Sequence, residues 1–327
     1  MRKGAILLLV LSLVLVACRA STGDGTVPAG ESSVPSPTST STSTSTAATS
    51  LADADPPFPA KVQTDLGPVA IESEPQRIVS LSASHTEMLY ALGVDDRIVA
   101  TDLASNFPPA AQDTVKLDSF SFNIEEVAAL DPDLVIVAFD FQGEPEALAA
   151  LDIPFLLLGP PPTIEHAFSQ LLNVGVAVGR AIEAVTLTEG LVAEVGRISG
   201  AAAPLRGITV FHEVDEAFYS ASAESFIGDL YSRLGLVNIA DAADVDGPFP
   251  QLSAEFIVDQ DPEFIFLGDA DFGVTPESVA ARPGWETMRA VTAGNIVELD
   301  GDIAGRWGPR TVDLLAKIFE TVEAKVP

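Results

Sequence analysis

Glu125-Glu-Val-Ala-Ala-Leu-Asp131-Pro132-Asp133-Leu134-Val-Ile-Val137 is echoed further along the chain by Glu255-Phe-Ile-Val-Asp-Gln-Asp261-Pro262-Glu263-Phe264-Ile-Phe-Leu267. Each copy reads as a short helix, an Asp-Pro-acid turn and a four-residue apolar run. Proline disfavours helix at the residue before it, and a short apolar run bounded by turn residues fits a strand buried on both faces. In register, Glu125 and Glu255 each lie six residues before the Asp of the turn. A helix N-terminus favours an acid in its first turn. That explains an acid in either copy; it does not require the same acid at matching places in both.

Working outward, strand-like runs precede Pro204 at Arg77–Leu81, Arg97–Thr101, Leu134–Phe139 and Phe155–Leu158, and follow it at Ile208–Val214, Phe264–Leu267 and Ile296–Leu299. Helical patterns lie between them. Ser84-x-x-Glu87 has the spacing of a capping box opening a helix over Met88–Leu92, stopped by Gly93. Asn123 is placed to cap Ile124–Leu130, and Pro145 to open a helix running to Leu151. Further helices are expected over Phe226–Leu234, Glu255–Val258 and Trp285–Val291. A last one follows Pro309, with Val312, Leu315, Phe319 and Val322 on one face. Strand–helix alternation at this spacing predicts an α/β fold with mostly parallel sheets, built twice. Between the halves, Ile182, Val185, Val192, Val195 and Ile198 recur at helical intervals with no proline; a helix of about 20 residues spans about 30 Å. Gly190 and Gly196 cost that helix some intrinsic propensity. The expected organisation is an N-terminal lobe over 61–178, a stiff bridging helix over 179–203 and a C-terminal lobe over 204–327.

The first sixty residues are of another kind. Arg2 and Lys3 precede an apolar run from Ala5 to Val16, too short to span a membrane comfortably but suited to an export signal over 1–17. The lone cysteine, Cys18, closes it. From Ser32 to Ser50, 14 of 19 residues are Ser or Thr. Such a stretch cannot bury enough apolar surface to offset its ordering entropy, so 18–60 reads as a flexible tether.

The formal charge is 17 − 47 = −30. That balance argues against nucleic acid and anionic membrane surfaces as partners. A single cysteine excludes a disulfide framework and any multi-cysteine metal site, and three histidines leave little material for a metal centre. No phosphate loop, Gly-x-Ser-x-Gly or Gly-x-Gly-x-x-Gly after a strand is present, which weakens enzymatic readings; a surface-anchored hydrolase is the alternative from a different class.

Arg77-Ile-Val-Ser-Leu-Ser-Ala-Ser-His-Thr-Glu-Met-Leu-Tyr-Ala-Leu-Gly93 resembles the opening strand and helix of the substrate-binding proteins of iron-siderophore and cobalamin ABC importers. Asn123-Ile-Glu125, Asp131–Val137, Tyr219-Ser, Phe226-Ile-Gly-Asp-Leu, Gln251-Leu-Ser-Ala-Glu255 and Trp307-Gly-Pro-Arg310 match the same family in order. Leu15-Val-Ala-Cys18 likewise resembles a bacterial lipobox, which implies lipidation of Cys18 and extracytoplasmic anchoring to the cell membrane through lipid alone. The resemblance implies two Rossmann-like lobes joined by a rigid helix, with little lobe movement and a ligand held in the cleft between them. It further implies no catalysis, no cofactor and a monomer that delivers its load to a permease dimer driven by an ATPase. Glu125 and Glu255 fall where the family presents one acid per lobe to permease arginines.

Open α/β sheets place ligands at the carboxyl ends of their strands. The ligand-contact candidates are therefore Ser84, His85, Phe107, Phe120 and Phe141 in the first lobe, and His212, Tyr219, Phe249, Arg306 and Trp307 in the second. Aromatic rings offer broad apolar contact, while Tyr, His and Arg fix orientation. The expected cargo is an iron–siderophore complex, with cobalamin as the alternative. Haem, taken by His85 or Tyr219, and a bare divalent ion rank below both. With only Arg306 basic at the cleft, a neutral hydroxamate or a corrinoid is easier to hold than a polyanionic catecholate.

Overall fold

The computed structural model describes residues 58–326. The signal segment, Cys18 and nearly all of the tether lie outside the described residues. The first half runs β1 (Ala60–Thr64), β2 (Gly67–Ile71), β3 (Ile78–Leu81), α1 (Ala83–Ala91), β4 (Ile98–Asp102), β5 (Val115–Leu117), α2 (Ile124–Ala128), β6 (Leu134–Val137), α3 (Glu144–Ala150), β7 (Phe155–Leu157) and α4 (Ile164–Ala177). After α5 (Ala181–Ala201) come β8 (Thr209–Glu213), α6 (Phe226–Arg233), β9 (Val237–Asn238), α7 (Ala254–Gln260), β10 (Phe264–Leu267), α8 (Pro276–Ala280), α9 (Arg289–Ala293), β11 (Ile296–Glu298), α10 (Gly301–Ala304) and α11 (Thr311–Glu323).

Two all-parallel sheets result, ordered β5-β4-β3-β6-β7 and β11-β10-β8-β9. Interior strands β6 and β10 are the two apolar runs of the repeat, and every residue in them is buried. This is the pattern expected where helices cover both faces of a parallel sheet. A separate antiparallel hairpin, β1–β2, precedes the first sheet. It was not legible as strands; β1 alternates with Ala60 and Val62 inward and Lys61 and Gln63 outward.

One apolar core runs through both halves and includes Ile136, Leu171, Ile198, Phe264, Trp307 and Leu315. Two smaller clusters cover the opposite sheet faces, around Val79 and Val135 in the first half and around Phe211 and Trp285 in the second. α5 is a single helix of 21 residues, despite its internal glycines, that buries Ala184, Thr188, Val195 and Ile198. It lies close against α4, where a Cβ on Gly175 would collide with that of Ala184. A continuous apolar core opposes rotation of one half against the other, because turning would expose packed surface.

Three local expectations are corrected. Ser84 and Glu87 do not form a capping box: α1 begins behind Ser82, and both residues lie buried within it. The helix expected over Trp285–Val291 starts later, at Arg289, whose N–H donates to Asp261 Oδ1 at 2.7 Å. β6 stops at Val137, so Phe139 belongs to the loop that follows. The face expected on the last helix is as read, with Val312, Leu315, Phe319 and Val322 all buried.

Candidate functional site

Loops following β6, β7, β8 and β10, together with α10 and the segment before α11, enclose a cavity of about 480 Å³ between the halves. Phe139 and Pro160 come from the first half, and His212, Phe226, Phe249 and Trp307 from the second. The wall is aromatic and aliphatic, with Asp271 and Asp302 as its acids; no Lys or Arg lines it. Phe139 meets Trp307 edge-on and stacks on Phe141 at 4.9 Å, and Phe141 stacks on Phe120 at 5.8 Å. An aromatic ladder thus leads from the cavity to the surface, where Phe120 is 68 % exposed. On the other lip Phe272 is 89 % exposed and also lines the cavity.

Three of the ten ligand-contact candidates, His212, Phe249 and Trp307, line this cavity. Phe120 and Phe141 form the outer ladder. Phe107 lies under the Arg310 guanidinium at 4.0 Å, and Tyr219 bridges to Gln251; neither lines the cavity. Phe139, Phe226 and Phe272 were missed. For Phe139 and Phe272, position after a central strand was the available signal.

Ser84, His85 and Arg306 are corrections. Ser84 and His85 are buried behind Trp307 and do not reach the cavity. Ser84 Oγ accepts from Trp307 N at 3.2 Å, while Gln170 Oε1 accepts from Trp307 Nε1 at 2.9 Å and lies 3.3 Å from His85 Nε2. These residues hold the tryptophan from behind. His85 therefore offers no axial position for a haem in this cavity.

Arg306 is buried, and both of its terminal nitrogens are engaged. Its Nη1 donates to Glu87 Oε1 at 3.0 Å and Asn106 Oδ1 at 2.9 Å; its Nη2 donates to Ala104 O at 2.8 Å and to Asp302 Oδ1 at 2.5 Å. Arg310 adds a bidentate pair to the same Glu87, at 2.5 and 3.0 Å. The arginine read as a ligand anchor instead ties the two halves together, because its terminal nitrogens donate to α1 and the 104–106 loop of the first half.

Glu125 and Glu255 are exposed, each the second residue of its helix, behind N-caps Asn123 and Ser253. The Asp-Pro turns also match, with φ of 49° at Asp131 and 45° at Asp261. The acids after the prolines are structural: Asp133 accepts from Gln76 N and Arg77 N, and Glu263 accepts from Thr209 N, in each case beside the neighbouring parallel strand. Neither the Glu125 nor the Glu255 carboxylate has a hydrogen bond or ion pair among the described residues.

Burial lowers the pKa of both His85 and His212 to about 4. Both rings are neutral in the native protein near pH 7. As pH falls below about 6.5 the unfolded chain takes up the proton first, so stability present above that value is lost towards pH 4, by on the order of 3 kcal/mol per ring. Asp269, raised to about 6 chiefly by burial and secondly by Glu213, acts in the opposite sense and offsets part of the loss. Urea midpoints are expected to fall between pH 6.5 and 4.5, with a shallower fall in His85→Gln. An identical slope in that variant would contradict the assignment.

Residues 78–303 match the family model described as periplasmic binding protein. An uncharacterised ABC transporter substrate-binding lipoprotein of Bacillus subtilis is 27% identical over 263 residues, covering 78% of this chain and 82% of that protein. A vitamin B12-binding protein of Pectobacterium carotovorum is 26% identical, over 77% of this chain and 90% of its own length. Among solved structures, an ABC-type Fe3+-hydroxamate transport system protein from Saccharomonospora viridis superposes with a TM-score of 0.68 at 24% identity, over 81% of this chain and 99% of that one.

Proposed function

Since the chain belongs to the periplasmic binding protein family and is the substrate-binding component of an ABC importer, we propose that its cargo is a corrinoid. The cavity's chemistry carries this reading: aromatic and aliphatic walls, two acids and no free cation. A polyanionic chelate would lose its hydration there without gaining a counter-charge, whereas a neutral or cationic chelate with broad apolar surface would not. The vitamin B12-binding relative supports the choice within that class. This reading puts the corrinoid ahead of the ferric siderophore expected from the sequence. Because the cavity is modest, the cargo sits partly in it and partly against the Phe139–Phe141–Phe120 ladder.

Fluorescence tests this directly. The chain has two tryptophans: Trp307 lines the cavity, and Trp285 is buried in the C-terminal half away from it. Cyanocobalamin is expected to quench emission saturably, and Trp307→Phe to remove most of the change. Tighter binding of a ferric hydroxamate than of cyanocobalamin would overturn the choice of cargo.

The family works outside the cytoplasm with an ABC permease and its ATPase. In the same reading, Glu125 and Glu255 dock a monomeric carrier on the permease dimer, the signal 1–17 is removed, and lipid on Cys18 holds the carrier to the cell membrane through the 18–60 tether. Among the described residues no helix is long and apolar enough to cross a membrane. Cys18→Ser is expected to release the protein into the soluble fraction; retention on the membrane would refute the lipid anchor.

A further inference from the structure

Within the cavity wall, side-chain donors are scarce. Of the lining residues only His212 and Trp307 carry an N–H on the side chain, and Trp307 Nε1 is committed to Gln170. His212, the residue before the last of β8, is 1 % exposed and lines the cavity. Its Nδ1 lies 2.7 Å from Tyr231 Oη. Tyr231 is fully buried, and this is the hydrogen bond its hydroxyl makes among the described residues.

We propose that His212 presents an Nε2–H to the cavity, held in that tautomer by Tyr231, and that it binds an acceptor oxygen of the cargo instead of its metal. The inference rests on the cavity being the cargo site; for a corrinoid the acceptor is a peripheral carboxamide carbonyl. A neutral imidazole has one N–H, and a buried hydroxyl needs an acceptor. Were the proton on Nδ1, the ring would donate to Tyr231 and leave the tyrosine's own O–H buried without a partner. With Tyr231 donating, Nδ1 accepts and the proton resides on Nε2. Gly268 keeps this nitrogen uncovered: a Cβ there would stand 3.1 Å from it. Burial also keeps the ring neutral above about pH 4, so the single N–H persists through the physiological range. The remaining polar side chains of the wall, Asp271 and Asp302, are acceptors, so His212 alone can donate from a side chain to a cargo oxygen. Tyr231 acts through the histidine and is a positioning residue.

Two measurements test the proposal. Heteronuclear NMR of the cargo-free protein carrying nitrogen-labelled histidine is expected to show His212 protonated at Nε2 alone, with a tautomer mixture in Tyr231→Phe. A proton on Nδ1 would overturn the proposal whatever the cargo. Aquocobalamin is the probe for the second. Bound to the wild type it is expected to keep its aquo absorption spectrum; His212→Gln, whose amide N–H reaches a similar place, should retain affinity within about threefold, and His212→Ala should lose about tenfold. In Tyr231→Phe the freed lone pair should bring an imidazole-ligated spectrum. An imidazole-ligated spectrum in the wild type, or His212→Gln losing as much as His212→Ala, would overturn the donor role. Should aquocobalamin not bind the wild type at all, the corrinoid reading fails, and the cargo-free tautomer measurement still decides the proposal for His212.

Discussion

Replacing Glu125 and Glu255 together with Ala is expected to abolish ATP-driven uptake while cargo affinity stays within about twofold of the wild type, since exposed charges that do not line the cavity steer docking and leave its contacts intact. The physical ground is their idleness. Each carboxylate stands exposed in the first turn of its helix with no partner among the described residues, whereas Asp133 and Glu263 nearby are consumed in stitching parallel strands. Two such acids at equivalent places suit a two-subunit gate, where paired arginines fix orientation through bidentate contacts. An exposed ion pair contributes only about 0–1 kcal/mol, and more where docking desolvates it, so single variants should retain partial transport. Uptake assayed with the cognate permease, beside equilibrium binding, separates the two effects. A collapse of cargo affinity would place these acids at the cleft and sink the docking assignment.

Glu87→Ala is expected to cost about 3–5 kcal/mol of folding stability, the range for removing one partner of a buried ion pair. Glu87 is 3 % exposed and faces two guanidinium groups. With Asp302 it balances Arg306 and Arg310, two acids against two bases in one cluster. Deleting Glu87 leaves excess positive charge in a poorly hydrated place, and Trp307 immediately follows Arg306. Cargo affinity should therefore fall as well, because the tryptophan loses the fixed backbone that presents it. Urea denaturation and cargo titration of the same variant measure both; a loss below about 1 kcal/mol, the range of exposed pairs, would show that water screens the cluster. The intact cluster and the continuous core together predict only a few degrees of lobe movement on loading.

Much of this was legible in one dimension. The runs at Leu134–Val137 and Phe264–Leu267 are recognisable because a strand buried on both faces leaves an unbroken apolar stretch. Asn123 was placed as a cap because capping uses residues two or three apart, and its Oδ1 does accept from Glu125 N at 3.0 Å. The matching of Glu125 with Glu255 was visible because both follow from one repeated unit. Phe249 and Trp307 were found by the rule that ligands gather at strand carboxyl ends. The β1–β2 hairpin escaped because its strands are only five residues long and the first begins inside the segment assigned to the tether.

Sequence alone determined the α/β class, the doubled architecture and the paired acids, since periodicity, turn chemistry and repeats act between near neighbours. Tertiary structure alone decided what the polar side chains do. Arg306 meets Glu87 at a sequence separation of 219, and Trp307 is braced by Gln170 at a separation of 137. Whether an arginine or histidine faces cargo or protein depends on which partner satisfies it, and that partner is brought near only by packing.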